Sequence, residues 1–167
     1  MSRVFIGLGS NEGDRLENIS HAAKRLATTP GIRLVQMAPV HETEPIGPSQ
    51  PDFLNTVIAC NTTHEPEELL HILKKLEQQL GRVPSAQRWG PRPIDLDILL
   101  YDDRIMATPT LQIPHAQMHR RRFVLEPLAQ LAPTLVHPVL RRSISDLLAA
   151  LPAPAARAVT RVASGAP

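Results

Sequence analysis

Two stretches of helical periodicity, each set between runs that alternate at period two, limit the topologies open to this chain. The first runs from about Asp14 to Thr28, brings Leu16, Ile19, Ala23 and Leu26 onto one face, and stops at Pro30-Gly31. The second is EPEELLHILKKLEQQLG, Glu65 to Gly81. Pro66 suits its first turn, Leu69, Ile72, Leu73, Leu76 and Leu80 form its stripe, and Gly81 is a natural stop. Four strands are expected around them. RVFIGL (3–8) is ended by the turn at Gly9, Ser10, Asn11 and Gly13; Ile32 to Val40 carries Pro39 near its end, which argues for an edge or a bulge. FLNTVIACNTT (53–63) alternates, and the run from Ile94 to about Tyr101 closes the set. The order β-α-β-β-α-β predicts an α+β, ferredoxin-like core: an antiparallel sheet with these two helices on one face and the other face free for a ligand. Extra C-terminal helices follow at FVLEPLAQLAP and at Ser143 to Leu151, the latter capped by Ser143 with Asp146 three residues on. Residues 1–151 are expected to form a single domain. The tail, 152–167, lacks an apolar period and is expected to be disordered.

The 167 residues, 43% hydrophobic and 20% charged, fit one soluble globular domain. No apolar run approaches the roughly 20 residues that span a bilayer. The N-terminus lacks a signal-peptide pattern, and the single cysteine, Cys60, excludes an internal disulfide and points to the reducing cytoplasm. A net charge of +2 suits a small anionic ligand at least as well as nucleic acid. A monomer without nucleic-acid or membrane partners is expected.

The chemistry is concentrated in RWGPRPIDLDILLYDD, residues 88–103. Asp95 and Asp97 interrupt an apolar strand, where an unpaired buried carboxylate costs several kcal/mol. At period two they share one face, opposite Ile94, Leu96 and Ile98. Two neighbouring carboxylates suit Mg²⁺, which takes one or two protein carboxylates and completes its shell with water and phosphate oxygens. The alternative is a solvated acidic strand face. Arg82, Arg88 and Arg92 precede the acids and Arg120, Arg121 and Arg122 follow. Guanidinium groups around a carboxylate–metal pair fit a polyphosphate. Arg82, Arg92 and Arg121 are assigned to the site; Arg88, Arg120, Arg122, Arg141 and Arg142 suit a solvated surface. No GxxxxGK[ST] cradle is present, and GLGSNEG has the wrong glycine spacing for GxGxxG and reads as a strand-to-helix turn. His115, after Pro114, is a candidate hydrogen-bond donor to phosphate.

These residues resemble the 6-hydroxymethyl-7,8-dihydropterin pyrophosphokinase family of folate biosynthesis. The resemblance runs from Val4 to about Leu151. It rests on GLGSN, TEPIGPSQPDFLN (43–55), LEQQLGR (76–82), WGPR-x-x-DLDI (89–98), and IPH (113–115) followed by Arg121 and Phe123. It implies pyrophosphate transfer from ATP to the pterin hydroxymethyl group, with AMP released. Asp95 and Asp97 would hold two Mg²⁺ ions, and Arg82 and Arg92 would contact the phosphates. His115 and Arg121 would face the nucleotide, with backbone near Ile98 at the adenine. The pterin would stack between Phe53 and Phe123, with Asn55 on its edge, Thr43, Pro45 and Ile46 beside it, and Trp89 on the closing loop. Only 3% of the chain is aromatic, so three rings at such positions favour the ligand reading over core packing. Phe53 replaces the tyrosine common in the family, and Pro84 stands where some members carry a basic residue. No second folate-pathway domain is expected. The rival readings are a metal-dependent nuclease or nucleotidyl transferase, and an RNA-binding ferredoxin-like module, for which an RNP1-like segment is missing.

Overall fold

The structure is a computed structural model that describes residues 1–43, 49–81, 91–152 and the strand at 159–163. Within them the strands and helices run β1 (Ser2–Ser10), α1 (Arg15–Ala27), β2 (Ile32–Met37), β3 (Val40–Thr43), β4 (Phe53–Thr62), α2 (Pro66–Gln79) and β5 (Asp95–Tyr101). They continue with β6 (Met106–Ala107), β7 (Gln112–Ile113), α3 (Arg122–Leu131), α4 (Ile144–Ala149) and β8 (Val159–Ala163). The main sheet orders its strands β5-β1-β4-β3-β8, with β2 also against β4, and every pairing is antiparallel. β2 and β3 are successive pieces of one expected strand, interrupted at Ala38-Pro39, because proline has no N–H to give to a ladder. Counting them as one strand gives the expected ferredoxin-like arrangement.

Local chemistry sets the helix ends. Asp14 caps α1 by accepting a bond from Glu17 N at 3.2 Å, and Ser143 caps α4 by accepting from Asp146 N at 3.1 Å. Glu65 and Glu68 form a capping box at the start of α2, with Pro66 in its first turn. α1 and α2 cover one face: Ile19, Ala22, Ala23, Leu26, Leu69, Leu73 and Leu76 pack on Val4, Ile6, Leu8, Ile58, Cys60, Leu96 and Ile98. Burying each leucine, isoleucine or valine among them contributes about 1.5–3 kcal/mol, and each alanine less. Leu16 does not join them. It lies 41% exposed in the first turn of α1, since the buried stripe is centred on Ile19, Ala22, Ala23 and Leu26.

Three further expectations are corrected. The opposite face is only partly free, because Val124, Leu125, Leu128, Ile144 and Leu147 of α3 and α4 pack on Phe5, Val57, Ala59 and Leu99. GLGS is strand rather than turn: β1 continues to Ser10 because the two ladders flanking it extend that far, Ser10 facing Leu54 and Gly9 facing Asp95. The tail contributes β8, whose residues pair with Val40 to Thr43 of β3. A β3 edge with unsatisfied backbone groups supplies the partner that the tail's own composition did not announce.

Candidate active site

The ladder register builds the site. Gly9 of β1 lies between Asn55 of β4 and Asp95 of β5, and Gly7 lies between Val57 and Asp97. A glycine column therefore separates a β4 column from a β5 column, at two strand spacings of about 4.8 Å, or roughly 10 Å. Residues i and i+2 share a face, so Phe53 and Asn55 project beside the glycines on one side, and Asp95 and Asp97 on the other. A cavity opens above them. It encloses about 780 Å³ of non-atom space, part of it open to solvent, and its wall includes Thr43, Phe53, Asn55, Arg92, Asp95, Asp97, His115, Arg121 and Phe123. These side chains come from five separate stretches of chain.

The glycines are what the sequence reading missed. A Cβ on Gly9 would stand 2.9 Å from Asn55 Oδ1 and 3.6 Å from Phe53 Cδ1. The missing side chain is thus what lets the Asn55 amide lie flat against β1. Thr43 Oγ1 accepts a hydrogen bond from Asn55 Nδ2 at 2.6 Å, which fixes the orientation of the amide. Arg121 lies 5.5 Å from the centroid of the Phe123 ring, a cation–π contact at the cavity wall.

On the acidic side, Arg92 lies 3.4 Å from Asp95. The Asp97 carboxyl is pushed up to about 7, by burial first and then by the charges of Asp95 and Glu77, against the pull of Lys74 and Arg121. Glu77 was also missed. It is 2% exposed on α2 and accepts from Leu96 N at 2.7 Å, gripping the backbone between the two aspartates. Crowded negative charge of this kind is relieved by a cation, and the donor set fits Mg²⁺. Among the described residues, no group of three or more His, Cys, Asp or Glu is placed to hold a metal ion, so the two aspartates would leave the rest of the shell to water and phosphate oxygens.

His115 is tied to β5 by its own N–H, which donates to Leu99 O at 2.9 Å. Its Nδ1 accepts from Gln117 N at 3.2 Å, so the neutral ring carries its proton on Nε2. Burial, then the Arg121 charge, lowers its pKa, against the pull of Asp95, which favours that neutral form. The side chain of Ile98, 3% exposed, points into the core on the opposite face, leaving only its backbone for a ligand. Arg82, Pro45, Ile46 and Trp89 lie outside the described residues.

Residues 5–133 match the family described as 7,8-dihydro-6-hydroxymethylpterin-pyrophosphokinase. The chain belongs to this family. Membership makes it an enzyme, a pyrophosphokinase of folate biosynthesis. It is 43% identical over 153 residues to the 2-amino-4-hydroxy-6-hydroxymethyldihydropteridine pyrophosphokinase of Pseudomonas aeruginosa, covering 91% of this chain and 93% of the relative. The enzyme of the same name from Aquifex aeolicus is 37% identical over 147 residues, 87% of this chain and 90% of that one. The fold matches a Plasmodium falciparum HPPK-DHPS crystal structure with pteroate at a TM-score of 0.71 and 16% identity, over 89% of this chain and 42% of the other. The chain therefore spans less than half the length of that structure. No described helix of this pyrophosphokinase is long and apolar enough to cross a membrane.

Proposed function

We propose that the chain binds ATP and 6-hydroxymethyl-7,8-dihydropterin in this cavity and transfers pyrophosphate between them, with two Mg²⁺ ions at Asp95 and Asp97. The observation that carries the reading is the pairing of Phe53 and Asn55 on β4 with Asp95 and Asp97 on β5 across the glycine column, in one cavity whose wall also includes Arg92, Arg121 and Phe123. A flat heterocycle suits the first and a triphosphate the second. The hydroxymethyl oxygen attacks the β-phosphorus in line, the bond from that phosphorus to the α,β-bridging oxygen breaks, and AMP leaves with the bridging oxygen.

Such a transfer depends mainly on alignment and charge neutralisation. Bound Mg²⁺ supplies the charge that offsets the phosphate oxygens and favours the ionised hydroxyl. Asp95 and Asp97 hold that charge in place. Arg92, together with Arg82, grips the migrating group, Arg121 and the Nε2 proton of His115 bind nucleotide oxygens, and the Ile98 backbone meets the adenine. Phe53, Phe123 and Asn55 orient the pterin, helped by Thr43, Pro45 and Ile46, and Trp89 shields it from water. A monomer suffices, since this assignment uses one chain's residues alone, and residues 1–151 carry it.

Incubation with Mg²⁺, ATP and the pterin should yield AMP only when the pterin is present. Asp95→Ala and Asp97→Ala should each lower kcat by at least about 100-fold, the loss typical of a removed electrostatic stabiliser, while the folded circular dichroism spectrum remains. Turnover of Asp97→Ala at the wild-type rate would refute the metal assignment. A nuclease or nucleotidyl transferase would show itself by product formation without pterin.

A further inference from the structure

Among the described residues, β3 and β4 end their shared ladder at one pair, Thr43 opposite Phe53, and the ladder between β3 and β8 ends at Thr43 too, opposite Val159. Thr43 and Phe53 both line the cavity. A terminal pair is where a ladder frays, since it has neighbours on one side only. One position back along β3, on the other face of the sheet, stands Glu42, opposite Leu54 of the core beneath α1 and α2. Arg15, the first residue of α1, reaches across to it. A single nitrogen, Nη1, donates to Glu42 Oε2 at 2.7 Å and to Asp52 O at 2.9 Å. These acceptors sit immediately before Thr43 and immediately before Phe53, so one guanidinium group clasps both strands at the point where they part. Its base is rigid. Ile19, Ala22, Ala23 and Leu26 bury α1 against the sheet, and Asn18 Nδ2 ties the start of the helix to the turn after β1 by donating to Glu12 O at 2.9 Å. The Arg15 and Glu42 side chains are 30% and 35% exposed, a depth at which solvent screens a charged hydrogen bond only in part.

We propose that Arg15 is a positioning residue for the pterin: by clasping Glu42 and the Asp52 carbonyl it holds the Thr43–Phe53 pair closed. The inference rests on the pyrophosphokinase reading. Thr43 Oγ1 accepts from Asn55 Nδ2 at 2.6 Å, so an opened terminal pair releases the Asn55 amide as well as the Phe53 ring. Arg15 itself does not line the cavity and acts from behind the sheet. The nucleotide side, built on β5 and Arg92, lies beyond β1 and takes no part in the clasp. The expected signature is therefore one-sided, with weaker pterin binding and unchanged ATP binding. An ion pair that only added stability would do the reverse, lowering the melting temperature slightly and leaving pterin binding as it was.

The test is steady-state kinetics in Mg²⁺, with each substrate varied while the other is saturating. Arg15→Ala should raise KM for the pterin about tenfold, as for loss of a charge-assisted hydrogen bond, with kcat and KM for ATP within about twofold of wild type. Its melting temperature should fall by no more than about 4 °C, as for a part-exposed ion pair. Arg15→Lys should restore the pterin KM to within about twofold, because the clasp uses one nitrogen and an ammonium carries three donors. Glu42→Gln keeps an acceptor but loses the charge, and should raise the pterin KM roughly fivefold. Combined with Arg15→Ala it should add nothing. Amide hydrogen exchange in ligand-free Arg15→Ala should quicken over 40–43 and 53–55 and match wild type over β5. An unchanged pterin KM in Arg15→Ala, or equal rises for both substrates, overturns the inference while leaving the enzyme reading standing. Should Arg15→Ala not fold, Glu42→Gln decides by the same criterion. Wild-type protein that forms no AMP with both substrates present defeats the pyrophosphokinase reading itself.

Discussion

At the scale of single residues, Asp97 carries a conflict between stability and function. Its carboxyl is raised to about 7 by burial and by Asp95 and Glu77, so the folded chain holds that proton more tightly than the unfolded chain. Between the ordinary carboxylate range and about pH 7 the folded state binds more protons, and stability without ligands falls as pH rises. Asp97→Asn removes the ionisation. Its melting temperature should exceed that of the wild type at about pH 8, with the gap shrinking towards about pH 5. Mg²⁺ with nucleotide should narrow the gap by stabilising the wild type alone; a variant that melts lower than wild type at the alkaline end would count against the raised carboxyl. Gly9 is constrained in a different way. A methyl group there meets Asn55 Oδ1 at 2.9 Å, and Asn55 is already fixed by Thr43. Gly9→Ala should raise KM for the pterin by about tenfold, the cost of roughly 1.4 kcal/mol, with KM for ATP little changed. Equal changes in both constants would argue that the whole sheet had shifted.

At the scale of elements, β3 joins the site to the sheet edge. It carries Thr43, pairs with β4 through His41, Glu42 and Thr43, and receives β8 on its other side. Arg15 at the start of α1 also holds this region, 2.7 Å from Glu42 and 2.9 Å from Asp52 O. Removing residues 153–167 should expose the β3 edge and lower the melting temperature by about 2–4 °C for each kcal/mol lost. An unchanged melting curve would mean that β8 adds nothing to the fold. Most of the elements were legible from pattern: the two amphipathic helices, the break at Pro39, and the Ser143 cap. β8 was not. Five residues in a tail without apolar period have no signal of their own, and their conformation comes from the neighbour they pair with. β6 and β7, two residues each, are likewise too short for alternation to mark them.

For the whole molecule, the site was legible wherever a side chain broke a pattern. Asp95 and Asp97 stand out against an apolar run, and Phe53 and Asn55 share a face by parity alone. Gly7 and Gly9 show nothing by parity, because their contribution is a missing Cβ that acquires meaning only between two other strands. Glu77 was hidden as well: lysines precede it at 74 and 75, and it reads as one more charge on a solvated face. The two hydrophobic clusters, one under α1 and α2 and the other under α3 and α4, clamp β5, β1 and β4 from opposite sides.

The alternation of β1 has a further consequence. Gly7 and Gly9 look into the cavity while Ile6 and Leu8 look into the core, so sliding this strand by one residue against its neighbours would invert both sets at once. Leucine and isoleucine would then fill the ligand space, and glycine would leave holes beneath the helices. Competence for chemistry and correct alignment of the central strand are a single event, and a misaligned chain has no half-working form.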